Sequence, residues 1–180
     1  LSFLLTRPGI AREKILRAAS RQFTEGDFQH WWLPATGAGV RTRISDDNVW
    51  LAYCASHYVK VVGDDAILDE VIPFIEGQQL SPGAHDAFFL PQLSEESGSL
   101  FEHCARALDR SLAKGAHGLP LMGTGDWNDG MNRVGEGGKG ESVWLGWFLL
   151  TTLNAFIPLA LARKEKKRAA AWKDRLSELE

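Results

Sequence analysis

Two aspartates, a tryptophan and an asparagine lie between glycines in Gly125-Asp126-Trp127-Asn128-Asp129-Gly130. Glycine admits backbone angles that other residues resist, so a tight, exposed loop is expected here. A carboxyl group in such a loop can act as a general acid or base if its pKa is raised. Asp126 and Asp129 are near enough in the chain to repel, which pushes one of them toward the protonated form. The flat face of Trp127 suits a sugar ring. The plainer alternative is an Asp/Asn/Gly turn anchored by a buried Trp127.

A second polar stretch holds His30, Trp31 and Trp32, then Arg41, Arg43 and Ser45, with Asp46 and Asp47 just after. Residues 25–45 read as one long loop, broken by Gly26, Pro34, Gly37 and Gly39. Long loops with such chemistry tend to carry function. Ser45 is a plausible N-cap for the helix that follows, and acids in a first turn suit the helix dipole. That account covers Asp46 and Asp47 but not Arg41 and Arg43. His57 reads as a packed or partly exposed helix residue, and Glu102 and His103 as a solvated or barrel-lining pair.

Gly135-Glu136-Gly137-Gly138-Lys139-Gly140 matches G-x-G-x-x-G. No strand is expected before it, and Gly140 stands where a P-loop needs Ser or Thr. Nucleotide binding therefore lacks its context.

The elements that must position these residues read as helices. They are expected over residues 9–24, 46–62, 63–74, 97–114, 144–162 and 164–180, with residues 77–93 as loop. On the second helix, Trp50, Tyr53, Cys54, His57 and Val61 make an apolar face at helical spacing. Trp144 to Ala162 carries no charge and is long enough to be weighed as a membrane span, with a basic cluster after it. Gly146, Thr151, Thr152, Asn154 and Pro158 dilute it, which favours the buried centre of a large α-fold. No convincing strand appears. Helix and loop alternate as in helical hairpins stacked into a toroid, and the expected fold class is all-α.

The 180 residues suit one domain, 1–180, with no internal boundary, or part of a larger domain. A net charge of −3 gives no reason to expect nucleic acid. Cys54 and Cys104 show neither metal-ligand spacing nor a disulfide framework. The chain opens on Leu1 without a signal-peptide pattern, so it is expected to be a piece of a longer protein.

Several ordered motifs together resemble glycoside hydrolase family 94. They are His30-Trp31-Trp32-Leu33-Pro34, Gly39-Val40-Arg41-Thr42-Arg43-Ile44-Ser45-Asp46-Asp47, Ser94-Glu95-Glu96-Ser97, Leu100-Phe101-Glu102-His103-Cys104, Gly125 to Asn132, and Gly140-Glu141-Ser142-Val143-Trp144-Leu145-Gly146-Trp147. The Trp-Trp and Arg-Thr-Arg-Ile-Ser-Asp-Asp versions look closest to the branch found in cyclic β-1,2-glucan synthases. The resemblance spans nearly the whole chain.

The resemblance implies an (α/α)6 barrel, of which this chain supplies roughly half of the helices. It also implies an inverting phosphorolysis of β-glucosidic bonds, in β-1,2-glucan for the closest branch, giving α-glucose 1-phosphate. The family's general acid falls on Asp129, and its donor-sugar Trp on Trp127. The family's sugar-binding Arg and Asp are placed at Arg41 and Asp47, with Arg43 and Asp46 as close competitors. Its phosphate donors lie on loops beyond Glu180, so activity of this chain alone is doubtful on the family's pattern. No metal or organic cofactor is implied, and inorganic phosphate is the co-substrate. A larger, membrane-anchored parent on the cytoplasmic side is implied for the glucan-synthase branch.

One acid suffices for a phosphorylase because phosphate arrives already nucleophilic, whereas an inverting hydrolase also needs a base. A glucoamylase-like hydrolase would have to find that base in Glu102 or Asp46. A glucan-binding remnant without turnover and a membrane segment of a synthase are the other readings.

Overall fold

A computed structural model of the chain describes the backbone of all 180 residues and every side chain but that of Asp129. Six helices form most of it: α1 (Pro8–Ala19), α2 (Asp47–Val62), α3 (Leu100–Arg110), α4 (Asn132–Gly135), α5 (Val143–Ala162) and α6 (Lys166–Leu179). Five short strands accompany them: β1 (Gln29–Trp32), β2 (Gly39–Thr42), β3 (Val71–Glu76), β4 (Asp86–Phe89) and β5 (Gln92–Ser99). The all-α expectation is therefore corrected. Helices carry the core, but two antiparallel sheets, ordered β1-β2-β4 and β3-β5, carry much of what was read as loop.

The expected loop over residues 25–45 is largely the β1–β2 hairpin, in which Trp32 pairs with Gly39 and Gln29 with Arg41. The helix expected over 63–74 does not form. Gly63, at φ 77°, ends α2, a 3-10 turn spans Asp65–Asp69, and β3 follows. Pro73 lies in β3 beside a register shift, where a residue without an N–H is tolerated. Ser97 to Ser99 belong to β5 rather than to a helix, and Ser99 caps α3 by accepting from the Glu102 amide. α1 stops at Ala19, short of the expected 24, because the chain turns there into bridges between Gln22 and Phe28 and between Phe23 and Ile75.

α5 is the spine. Leu149, Leu153 and Phe156 on one face are fully buried. The Phe156 ring meets Phe101 of α3 at 5.4 Å and Trp172 of α6 at 5.8 Å. α5 is also the one helix among the described residues long and apolar enough to cross a membrane. Its other face leaves Val143 and Trp147 exposed.

Charges tie the outer helix down. Glu102 of α3 accepts from Arg168 at 2.6 and 3.0 Å and from Arg106 at 3.0 Å. Asp109 takes Arg168 and the Trp172 indole. Glu102 thus belongs to a helix clamp, which overturns it as a catalytic base. His103, read as solvated or lining a barrel, is fully buried, stacked 3.9 Å from the Phe74 ring, with Nε2 3.0 Å from the Ile72 carbonyl oxygen. Burial pushes its pKa below the ordinary imidazole value.

Candidate active site

The loop that begins at Gly125 is docked by backbone onto the segment before α2. The Thr124 amide donates to the Arg43 carbonyl at 3.1 Å, and the Ser45 amide donates to the Gly125 carbonyl at 3.0 Å. Ile44 and Gly123 form an isolated antiparallel bridge. This approach demands glycine. Gly123 has φ +66°, and a Cβ there would stand 1.8 Å from the Arg43 carbonyl oxygen. Ser45 is not the helix cap it was read as. Asp46 takes the N-cap position of α2, and the Ser45 hydroxyl donates to Gly125 at 3.1 Å.

The two polar stretches of the sequence are thereby brought side by side. Asp126 is 3% exposed and accepts from Ser142 Oγ at 2.6 Å and from the Asn128 amide at 3.1 Å. Ser142 in turn caps α5 by accepting from the Leu145 amide at 3.0 Å. One hydroxyl therefore fixes both the loop and the start of the spine helix. Asn128 folds the next turn by accepting from the Gly130 amide. Asp129 opens a short 3-10 turn, Asp129–Met131, and its carboxyl group, assigned as the general acid by resemblance, lies outside the described side chains.

Trp127 is 60% exposed, so the buried-anchor alternative fails. Its ring begins an aromatic run: 6.3 Å to Trp144, 5.2 Å on to Phe148, then 4.5 Å to Trp50 and 5.2 Å to Tyr53. The run ends back at the acids, because Trp50 Nε1 donates to Asp46 Oδ2 at 2.9 Å. The apolar face of Trp50, Tyr53, Cys54, His57 and Val61 is the more open side of α2. Trp50 and Val61 are exposed, whereas Val49, Ala52, Ala55 and Tyr58 are buried. α2 is apolar nearly all round, so an apolar face at helical spacing does not by itself tell its inner side from its outer one.

Asp46 is 5% exposed, and burial, reinforced by the charges of Asp47 and Asp126, pushes its pKa above the ordinary aspartate value. Asp47 is less enclosed. His30 Nδ1 lies 3.0 and 3.1 Å from its two oxygens, and the Thr42 hydroxyl stands at 3.5 Å. His30 was noticed in the sequence but given no role. Its place in the hairpin, opposite the start of α2, had no signal before the strands were known.

The two arginines do not join Asp46, Asp47 and Trp127. Arg41 is buried and grips Asp27 with two bonds of 2.7 Å, with Glu25 at 3.1 Å and the Phe23 ring centre 3.9 Å away. Burial disfavours its charge, but Asp27 and Glu25 outweigh that and hold its pKa above the ordinary arginine value. Arg43 is exposed and donates to the carbonyls of Ala84, Leu80 and Ser81. Both border a polar pocket of about 130 Å³ with Glu25, Asp27 and Gln79. The glycine-rich 135–140 segment is no nucleotide loop. It doubles back so that Gly135 packs against Gly123 and Gly140 against the Val134 carbonyl.

A model described as the glycosyl hydrolase 94 superfamily, catalytic domain, matches residues 1–180. The chain is 59% identical over 180 residues to the cyclic beta-(1,2)-glucan synthase NdvB of Rhizobium meliloti, covering 99% of this chain and 6% of that protein. It is 35% identical over 154 residues to solabiose phosphorylase of Paenibacillus borealis, covering 85% of this chain and 17% of that one. It is 27% identical over 164 residues to 1,2-beta-oligoglucan phosphorylase of Listeria innocua, covering 88% and 14%. The chain thus spans a small part of the length of these relatives.

Proposed function

This chain belongs to the catalytic domain of the glycosyl hydrolase 94 superfamily, and we propose that it carries the acid side of a site for inverting phosphorolysis of β-glucosidic bonds. The observation that carries this reading is the docking of the loop that holds an exposed Trp127 and Asp129, through Gly125 and Ser45, onto the segment that leads into Asp46 and Asp47 at the start of α2. An exposed indole next to carboxylates is a sugar platform with hydroxyl acceptors. Asp129 protonates the leaving glycosidic oxygen, and phosphate attacks the anomeric carbon from the opposite face. The product is α-glucose 1-phosphate, and no second carboxylate is needed to activate a nucleophile. The helices form part of an (α/α)6 barrel, and residues 1–180 act as one unit of it.

Asp47 and Trp127 hold the donor sugar in this reading. Asp46, buried and hydrogen-bonded to Trp50, fixes the aromatic run behind it. Arg41 braces the hairpin through Asp27, and Arg43, bound only to backbone carbonyls, is the arginine free to turn to the sugar. The favoured substrate is a β-1,2-linked glucan, the linkage named for two of the relatives. Phosphate donors come from other parts of the polypeptide.

The test is to incubate the full-length protein with β-1,2-linked gluco-oligosaccharides with and without inorganic phosphate, and to follow α-glucose 1-phosphate by NMR. Phosphate-dependent product that vanishes in Asp129→Asn is the expected result. Free glucose formed regardless of phosphate would replace the reading with hydrolysis. Binding without product would leave a glucan-binding role.

A further inference from the structure

Beside His30 lies a second groove of about 370 Å³, lined by Lys14, Arg17, His30, Trp31, Trp32 and Pro34. Its floor is aromatic. Trp31 is 47% exposed and braced by the tilted ring of Phe88, whose centre is 5.8 Å away. Its rim is cationic. Lys14 and Arg17 stand three residues apart on α1, on one side of the helix. Arg21, just past the helix, lays its guanidinium over the Trp32 ring at 5.6 Å.

These cations lack counter-charges. Among the described residues, Lys14, Arg17 and Arg21 take part in no ion pair, and the buried Nε of Arg21 has no hydrogen-bond partner. Burial, with Arg17 beside it, lowers the Arg21 pKa, as expected of a cation short of an anion. Elsewhere buried or half-buried guanidinium groups are answered by acids, as Arg41 is by Asp27 and Arg168 by Glu102. A flat indole beside unanswered guanidinium groups matches a ring that carries a negative group.

We propose that this groove binds a sugar residue bearing an anionic substituent, with Trp31 stacking on the ring and Lys14 and Arg17 holding the carboxylate or phosphate ester. The choice of a sugar ring rests on the carbohydrate reading of the neighbouring site. His30 joins the two, lining the groove while its Nδ1 faces Asp47. A glucan chain whose donor residue lies over Trp127 is a natural source of that ring.

The test is calorimetric binding to the full-length protein of neutral β-1,2-linked glucotriose, the same triose oxidised at a C6 to a uronate, and inorganic phosphate alone. The uronate form is expected to bind about tenfold tighter than the neutral form at low salt, with the preference shrinking as salt screens it. Arg17→Gln should remove the preference, Trp31→Ala should weaken both sugars, and melting curves report whether each variant is folded. Lys14→Gln, on the exposed helix surface, gives a second charge variant with little risk to folding. Equal binding of the two trioses overturns the proposal. So does a preference that survives the combined Lys14→Gln and Arg17→Gln change. Phosphate binding as tightly as the uronate overturns the sugar part. A uronate preference in a protein that shows no phosphorolysis supports the groove while the reaction reading fails.

Discussion

The carbonyl oxygen of Gly125 accepts two hydrogen bonds from Ser45, one from its amide at 3.0 Å and one from its hydroxyl at 3.1 Å. Eighty residues of chain separate the two partners. This junction, more than any side chain of the loop, sets where Trp127 stands relative to Asp46 and Asp47.

Gly123→Ala should therefore undo the site before it undoes the fold. The added methyl meets the Arg43 carbonyl, and φ +66° is unfavourable for alanine. A cost of about 2 kcal/mol or more is expected in urea unfolding, by steric clash and backbone strain. Phosphorolysis should be lost to a greater degree than stability predicts. A variant with normal turnover and normal stability would mean that the junction is not where the loop is set.

Ser142→Ala removes an N-cap and the hydroxyl donor of a buried carboxylate at once. Caps alone are worth about 1 kcal/mol, and an unanswered buried acceptor adds about 1–3 kcal/mol. A double-mutant cycle with Asp126→Asn should show coupling, since both changes act on one hydrogen bond. Additive losses would contradict this.

Glu102→Gln should weaken the α3–α6 clamp by about 1–3 kcal/mol, the range for hydrogen bonds to charged groups. Burial raises the Glu102 pKa, but the hydrogen bonds from Arg168 and Arg106 outweigh it, and the net shift is downward. A lowered carboxylate contributes stability above its unfolded pKa and loses it as pH falls through the folded one. The wild-type advantage over Glu102→Gln should thus be full at neutral pH and shrink in acid. Melts run between pH 7 and pH 3 would check this, and a constant difference would count against the clamp.

Asp46→Asn should behave in the opposite way. The raised pKa of Asp46 means that its ionised form is penalised in the folded protein. Its contribution is best below the unfolded aspartate value and is lost as pH rises through the folded pKa. Asparagine keeps an acceptor for the Trp50 indole without the charge. The variant should be the more stable protein at neutral pH, and its lead should vanish in acid. Greater stability of the wild type at neutral pH would show that the charge is answered by a donor.

The long helices were readable because they bury whole faces. The apolar run of α5 and the Gly63 stop of α2 survive any tertiary context. The strands were not readable. β1 and β2 are four residues each, and the Trp31-Trp32 pair breaks any alternation. β5 carries Ser-Glu-Glu-Ser-Gly and is mostly exposed, so its partner β3 rather than its own pattern makes it a strand. Residue type alone singles out Trp127, Asp46 and Asp47 as candidates, whereas side-chain direction could not be read before the fold. The resemblance places a sugar ligand at Arg41, whereas the side chain is bound to Asp27, fourteen residues back across a hairpin that the sequence does not signal.

The aromatic run from Trp127 through Trp144 and Phe148 to Trp50 also has an optical meaning. Indoles at these separations exchange excitation faster than they emit, so Trp127 does not fluoresce as an isolated reporter. If a sugar stacks on its face as proposed, the light given out by the whole set should change, including that of Trp50 at the far end beside Asp46. Replacing Trp50 with Phe would take the end of the run beside Asp46 out of that exchange and leave Trp127 coupled to Trp144.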